Sequence, residues 1–275
     1  MQQFVYDSNP HFLWRHTREN RNYGSLANTT HYDDSMIITY LIRGSGHIWV
    51  EGNNTQIREG DLLLLNPREF HRCFFDSHPK HERLSIYINR SIAQGFSVPQ
   101  ESLFSAFDDR PLGKWNVIPS SILQSLQINS LLEEMQCPAK NDYDAEVLLQ
   151  CQVCRLLIRL KQAVALAQNQ PSLSSANKTV SLAIEYINGH LTEDLSTYAL
   201  SAALFVDSSY LCRTFKKYTN ATLSDYISKK RIDLAQQLME NGMSCTEACF
   251  KSGFNNYSSF YKYYRKYKGE NPNVK

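Results

Sequence analysis

Between residues 36 and 90 apolar and polar positions either alternate or gather into short apolar runs: MIITYLIR, GHIWVEG, NTQIR, DLLLLN, RCFF and LSIYIN. Alternation matches a pleated strand, whose successive side chains point to opposite faces, and a short apolar run matches a strand buried on both. Gly52-Asn53-Asn54 predicts a tight hairpin, because Asn and Gly tolerate positive φ, and Gly60-Asp61 and Asn66-Pro67 mark further turns. Strands with no helical segment between them predict a small antiparallel sandwich or barrel whose interior could hold a ligand.

From Pro119 the period changes. SILQSLQINSLLEEM and DYDAEVLLQCQVCRLLIRLKQAVALAQ read as two helices broken at Cys137-Pro138-Ala139-Lys140-Asn141. Between Val147 and Leu166 the second is apolar around much of its circumference, so one face packs on the barrel. The other face meets a second copy of the chain, or else another helix of the same domain. NQPSLSSANK, residues 169–178, has the small, polar, Pro-containing composition of a flexible linker. The expected division is a domain at 1–168, a linker at 169–178 and an all-helical domain at 179–275.

Beyond the linker, Val180, Ala183, Ile184 and Ile187 form one helical stripe. Thr192-Glu193-Asp194 and Asp207 open further helices with N-cap chemistry. A longer helix, LSDYISKKRIDLAQQLMENG, follows, turning Leu223, Tyr226, Ile227, Leu234, Ala235 and Leu238 inward, and two more begin after Ser244 and Asn256.

Composition sharpens this division. The chain has 275 residues, enough for two domains, and a net charge of +2. From Lys178 onward 13 Lys and Arg face 9 Asp and Glu, so this part carries +4 and residues 1–177 carry −2. A basic surplus confined to the helical part points to a polyanion partner there. Seven scattered cysteines, an odd number, do not form a secreted disulfide framework, and a reducing compartment fits. With no signal-peptide core, transit character or membrane-length apolar run, the expected location is the cytoplasm, away from membranes.

The helical part contains an internal repeat. VDSSYLCRTFKKYTN and FNNYSSFYKYYRKYKG align cap on cap (Asp207, Asn256), apolar on apolar (Leu211, Phe260), basic on basic (Arg213, Lys262) and aromatic on aromatic (Phe215, Tyr264). Lys216-Lys217-Tyr218 then matches Arg265-Lys266-Tyr267. Each copy is a helix, a short turn and a capped basic helix: a helix-turn-helix whose second helix fits a DNA major groove about 12 Å wide. The bridging helix of roughly 19 residues spans about 28 Å, near one turn of B-DNA, so the two recognition helices of one chain can enter successive grooves. Phe260, Tyr264 and Tyr267 recur at core spacing, while Tyr257 and Tyr261 share the face of Lys262 and Arg265.

These residues resemble the AraC/XylS family of transcriptional regulators. SCTEACFKSGFNNYSSFYKYYRKYKGENP carries Gly253-Phe254, Ser258, Phe260, the basic pair and aromatic at 265–267, Gly269 and Pro272, and KKRIDLAQQLM is similar to the family's linker helix. Departures are Ala248-Cys249, Ser201, and Phe205 at a position often Gly. The resemblance implies base-edge contacts from Ser209, Cys212 and Arg213 in the first unit, and from Tyr257, Ser258, Tyr261 and Lys262 in the second. Arg213 can grip a guanine bidentately. Lys216, Lys217, Arg265 and Lys266 suit phosphates, which supply affinity without reading sequence.

HYDDSMIITYLIRGSGHIWVEGNNTQIREGDLLLLNPREFHRC resembles the cupin-like sensor domain of the same family, through Gly44-Ser45-Gly46, Gly60-Asp61 and Pro67 followed by His71. His31, Asp33 and His71 invite a two-His, one-carboxylate metal reading, but the His-x-His pair and following Glu of metal-binding cupins are incomplete, so no metal or other cofactor is expected. Sensor members bind a small organic effector, for which the candidates are His31, Tyr40, Arg43, Trp49 and His71. A sugar suits aromatic faces beside Arg and His donors. Cys151-x-x-Cys154 and the pair Cys245 and Cys249 read as structural cysteines.

The fold expected is therefore α+β: a cupin-like β-barrel with a helical dimerisation segment, then an all-α domain with two helix-turn-helix units. The function expected is that of a ligand-responsive, sequence-specific DNA-binding regulator and not an enzyme. It would be a homodimeric activator that recruits RNA polymerase to promoter DNA in response to a sugar-like effector. The rival reading is a metal-dependent cupin enzyme whose helical domain only localises it on DNA.

Overall fold

The structure, a computed structural model, describes residues 35–67, 69–76, 81–93, 103–135, 147–169 and 177–272, and the backbone alone of 2–9, 12–18, 143–146 and 174–176. The chain divides into two compact units, Met1–Ser175 and Ala176–Lys275.

The N-terminal unit is built on two sheets. Strands β1 (Gln2–Asn9), β2 (Phe12–Arg18), β3 (Met36–Arg43), β4 (Ser45–Val50), β5 (Asn53–Arg58), β6 (Leu62–Leu65), β7 (His71–Phe75), β8 (Glu82–Ile88), β9 (Val117–Ile118) and β10 (Ser174–Ala176) supply them. One sheet has the order β1-β2-β8-β3-β6-β9 and the other β10-β5-β4-β7. The pairings of β3 with β6 and β8, and of β4 with β5 and β7, are antiparallel. The six strands expected from residues 36–90 all form. The hairpin of β1 and β2 was not expected: QQFVYDSN and FLWRHTR show no sustained alternation, and β2 is placed by its register against β8.

Alternation decides what each face covers. Ile37, Leu41, Leu63 and Leu65 of the first sheet meet Ile48, Val50 and Ile57 of the second in one buried cluster. Met36, Ile38, Leu62, Leu64 and Ile86, on the opposite face, join a larger core with the helices. These are α1 (Ser105–Asp108), α2 (Ser120–Ser125), α3 (Ile128–Glu134) and α4 (Tyr143–Gln168). Val153, Leu157 and Leu160 of α4 face that core, and truncating either leucine to Ala costs about 2–5 kcal/mol.

Three local expectations are corrected. The hairpin turn between β4 and β5 is Glu51-Gly52, because Val50 pairs with Asn53 and both turn residues have positive φ, 44° and 87°. Glu51 holds that conformation through its buried carboxylate, which accepts from Phe70 N at 2.8 Å. Residues 121–135 form two helices rather than one, since Gln127 takes the left-handed region at φ 55°. Within the expected linker, β10 adds to the edge of β5.

The N-terminal unit also buries a polar cluster. Glu69 and Arg110 are fully buried and paired. The Glu69 carboxylate accepts from both terminal nitrogens of Arg110 at 3.0 and 2.9 Å, from Asn66 N and Gly113 N at 2.7 Å, and from Asn116 Nδ2 at 3.0 Å. Burial pushes the Glu69 carboxyl up, but the Arg110 charge and these donors outweigh it and hold the group below its ordinary value.

The C-terminal unit is helical: α5 (Lys178–Gly189), α6 (Thr197–Leu204), α7 (Ser208–Thr219), α8 (Leu223–Glu240), α9 (Cys245–Lys251) and α10 (Tyr257–Lys268). The stripe Val180, Ala183, Ile184 and Ile187 is buried. Thr192-Glu193-Asp194 does not open a helix. The cap of α6 is Ser196, whose hydroxyl accepts from Ala199 N, and Asp194 accepts from Ser196 N at 2.9 Å.

Candidate functional site

Two helix pairs, α6 with α7 and α9 with α10, carry the basic helices. Asp207 caps α7 by accepting from Tyr210 N at 2.8 Å, and Asn256 caps α10 by accepting from Ser259 N at 2.8 Å. Each cap satisfies an otherwise unpaired amide, worth about 1 kcal/mol. Leu211 and Phe215 turn α7 inward, where Phe215 meets Tyr226 edge-on at 5.5 Å. Phe260 and Tyr264 do the same for α10, with Phe260 edge-on to Phe254 at 5.5 Å.

The opposite face of α7 is exposed at Ser209, Cys212, Arg213 and Lys216, a stripe at i, i+3, i+4, i+7, with Lys217 exposed beside it. On α10 the matching positions are Ser258, Tyr261, Lys262 and Arg265: Tyr261 is half-buried and the others are exposed. The phenol of Tyr261 donates to Asn271 Oδ1 at 2.7 Å.

Two of the expected DNA contacts are placed otherwise. Tyr257 is half-buried, its ring packs on Phe260 at 5.6 Å and its hydroxyl lies 3.4 Å from Cys245 Sγ. At the first position of α10, three residues before Phe260, it shares the core side rather than the outward stripe. Lys266 is exposed, but its ammonium lies 2.6 Å from Asp225 Oδ1 and within 5.7 and 5.1 Å of the Tyr263 and Tyr267 ring centres. It ties α10 to α8. The Lys266 hydrogen bond, against burial, holds Asp225 below the usual carboxylate value. Burial and then Asp225 push the Tyr267 phenol up, so Tyr267 stays a neutral donor to Asp225.

In the N-terminal unit the register sorts the effector candidates. His71 lies opposite Val50 on the face between the sheets, and its Nδ1 is 3.0 Å from Glu69 O. Tyr40 alternates with Thr39 and Leu41, so it packs on the helical side instead. Trp49 alternates with Ile48 and Val50 and takes the outer face of the second sheet, and Arg43 is exposed at the end of β3. His31 and Asp33 lie outside the described residues.

Besides His71, the polar groups that face inward were not singled out from the sequence. Thr39 and Ser85 are opposite one another, with hydroxyls 2.9 Å apart among the apolar residues between the sheets. At one end of this face His81 stacks on Phe75 at 4.2 Å. Burial, then the neighbouring Arg83 charge, pushes its pKa down to about 4, so the ring is neutral near pH 7. Among the described residues no group of three or more His, Cys, Asp or Glu is placed to hold a metal. Of the cysteines expected to be structural, Cys249 is buried, Cys154 and Cys245 are half-buried and Cys151 is exposed, as is Cys212 on α7.

The model of the AraC-like ligand binding domain matches residues 13–175, more than half of the chain, and that of a helix-turn-helix domain matches residues 200–274. The chain belongs to the AraC family. As an AraC-family member it is a ligand-responsive, DNA-binding transcriptional regulator.

Curated relatives of this AraC-family chain include the Msm operon regulatory protein of Streptococcus mutans, 24% identical over 87% of this chain and 83% of that one. The uncharacterized HTH-type transcriptional regulator YbfI of Bacillus subtilis is 26% identical over 83% of this chain and 79% of that one. Among solved structures, unsaturated-fatty-acid-bound ToxT of Vibrio cholerae aligns with 97% of this chain and 95% of that one at 14% identity. Its TM-score is 0.39, too low for geometry to be carried across. No helix among the described residues is long and apolar enough to cross a membrane.

Proposed function

We propose that this regulator reads promoter DNA with two recognition helices per chain, α7 and α10, in successive major grooves. The observation that supports it most is the repeated outward stripe: Ser209, Cys212, Arg213 and Lys216 on one helix, Ser258, Tyr261, Lys262 and Arg265 on the other, each opposite a buried aromatic face. Arg213 is the strongest reader by chemistry, because its planar fork matches the two acceptors of a guanine edge. Lys216, Lys217 and Arg265 suit phosphates. Tyr257 and Lys266 hold α10 in place instead.

The same reading makes the chain an activator that recruits RNA polymerase in the cytoplasm, with no chemistry of its own, and a homodimer through α4. Support for the dimer comes from the outward face of α4, where Val147, Leu148, Ile158 and Leu166 are 43–56% exposed. The effector is a hydroxyl-rich small molecule such as a sugar, received between the two sheets. The Thr39 and Ser85 hydroxyls and the His71 imidazole offer it donors and acceptors beside apolar walls.

A thermal-shift screen of the purified chain against monosaccharides, oligosaccharides and carboxylates tests the effector, because a ligand that binds only the folded state raises apparent stability. A sugar is expected to raise the melting temperature of the N-terminal unit, and Thr39→Val with Ser85→Ala to abolish that rise. A rise given only by carboxylates, or one unaffected by both substitutions, contradicts the assignment.

A further inference from the structure

We infer that Arg231 is a positioning residue that fixes the separation of the two recognition helices, so that the chain selects operators by the spacing of two half-sites as well as by their bases. This rests on the two-groove reading above. Arg231 lies on α8, the helix that bridges the two helix-turn-helix units. Its Nε donates to Leu191 O at 2.8 Å and its Nη2 to Glu193 O at 2.7 Å. Both carbonyls belong to the loop between α5 and α6, which leads into the first unit.

The turn of the second unit reaches the same loop. A Cβ on Gly253 would fall 2.3 Å from Leu191 O, 2.8 Å from Arg231 Nε and 3.0 Å from Thr192 Cα. One loop is therefore touched at once by the bridging helix and by the turn between α9 and α10. Gly253 has φ 94° and Phe205, in the first unit, has φ 53°. Both end their helices with the same pair of bonds: Phe205 N to Ala202 O and Val206 N to Ser201 O, Gly253 N to Phe250 O and Phe254 N to Cys249 O.

Yet Phe205 is 95% exposed, so this left-handed turn accepts a large side chain where nothing packs on it. Glycine is required at 253 by the close approach. Burial draws the Arg231 pKa down and the Asp194 charge opposes it, and the group stays a cation with its fork set by two carbonyls. Two units joined this way cannot slide or rotate past one another without breaking these bonds, and a pre-set separation favours one operator spacing over its neighbours.

The test uses the full chain and duplexes it selects from a random library, then a series with single base pairs added or removed between the two half-sites. Each added pair turns one half-site by about 34° relative to the other. The unaltered chain is expected to lose about tenfold or more in affinity per shifted pair. For Arg231→Ala that penalty is expected to fall below about threefold, with affinity for a duplex carrying one half-site within about twofold and the salt slope unchanged. Arg231→Lys keeps the charge without the fork and is expected to match Arg231→Ala, and Gly253→Ala to blur the spacing without any change of charge.

Arg231→Lys with the original spacing profile would assign the effect to charge and overturn the inference. Parallel loss on single and paired half-sites in Arg231→Ala would also overturn it, because the residue would then only hold the fold. A spacing-blind parent chain that still binds single half-sites would refute the two-groove reading itself.

Discussion

Replacing Arg110 by Met is expected to lower the stability of the N-terminal unit by about 3–5 kcal/mol at pH 7, because it leaves Glu69 as an uncompensated buried charge. The pair is fully buried, and Glu69 loses two of its five hydrogen bonds in the variant. The pH dependence identifies the cause. In the parent chain the Glu69 carboxyl is held below its ordinary value. A depressed carboxyl contributes stability that is complete above the unfolded pKa of about 4.3 and is lost as pH falls through the folded value. In the variant, burial acts without the guanidinium and the folded pKa rises, so the stability difference between the two proteins shrinks as pH falls from 7 to 4. Glu69→Gln combined with Arg110→Met removes both charges and is expected to recover more than half of the loss. Urea unfolding across that pH range measures all three. A single-variant loss under 1 kcal/mol, or one independent of pH, would show that the pair contributes little.

Arg213→Ala is expected to relax discrimination at one base pair by about 1–3 kcal/mol, since a bidentate grip on guanine is lost, and to leave the other positions of the site unaltered. Lys217→Ala is the contrast: it weakens binding nearly equally on every sequence and lowers the salt slope by about one. Both residues are exposed on α7, neither belongs to the core, and both variants should fold normally. Competition binding against all single-base operator variants at two salt concentrations separates them. Uniform loss for Arg213→Ala would refute its role as a reader.

Much of this was legible in the sequence because periodicity reports burial. The stripe Val180, Ala183, Ile184 and Ile187 and the buried Leu211, Phe215 and Phe260 follow from spacing, and the caps Asp207, Ser244 and Asn256 from their side-chain chemistry. What escaped depended on partners distant in sequence. Tyr257 and Tyr261 are chemically alike and four apart, yet one turns toward Cys245 and the other toward Asn271. Lys266 looks like any basic surface residue until Asp225, on another helix, is brought to 2.6 Å. The face proposed to receive the effector was the hardest to read, since period two says that Thr39 and Tyr40 lie on opposite faces but not which of them faces the second sheet. The small hydroxyls of Thr39 and Ser85 leave a weaker mark in a sequence than aromatic or charged residues do. Arg231 sits in a basic run, Lys229-Lys230-Arg231, and the Leu191 and Glu193 carbonyls it meets are backbone groups that leave no mark in a sequence.

Hydroxyl-radical footprinting of the full chain on a selected duplex, at a concentration that fills one binding site, tests the two-groove arrangement most directly. Two protected segments per chain, on the same face and about 10–10.5 base pairs apart, are predicted. A single protected segment per chain, or two segments on opposite faces of the duplex, would contradict it.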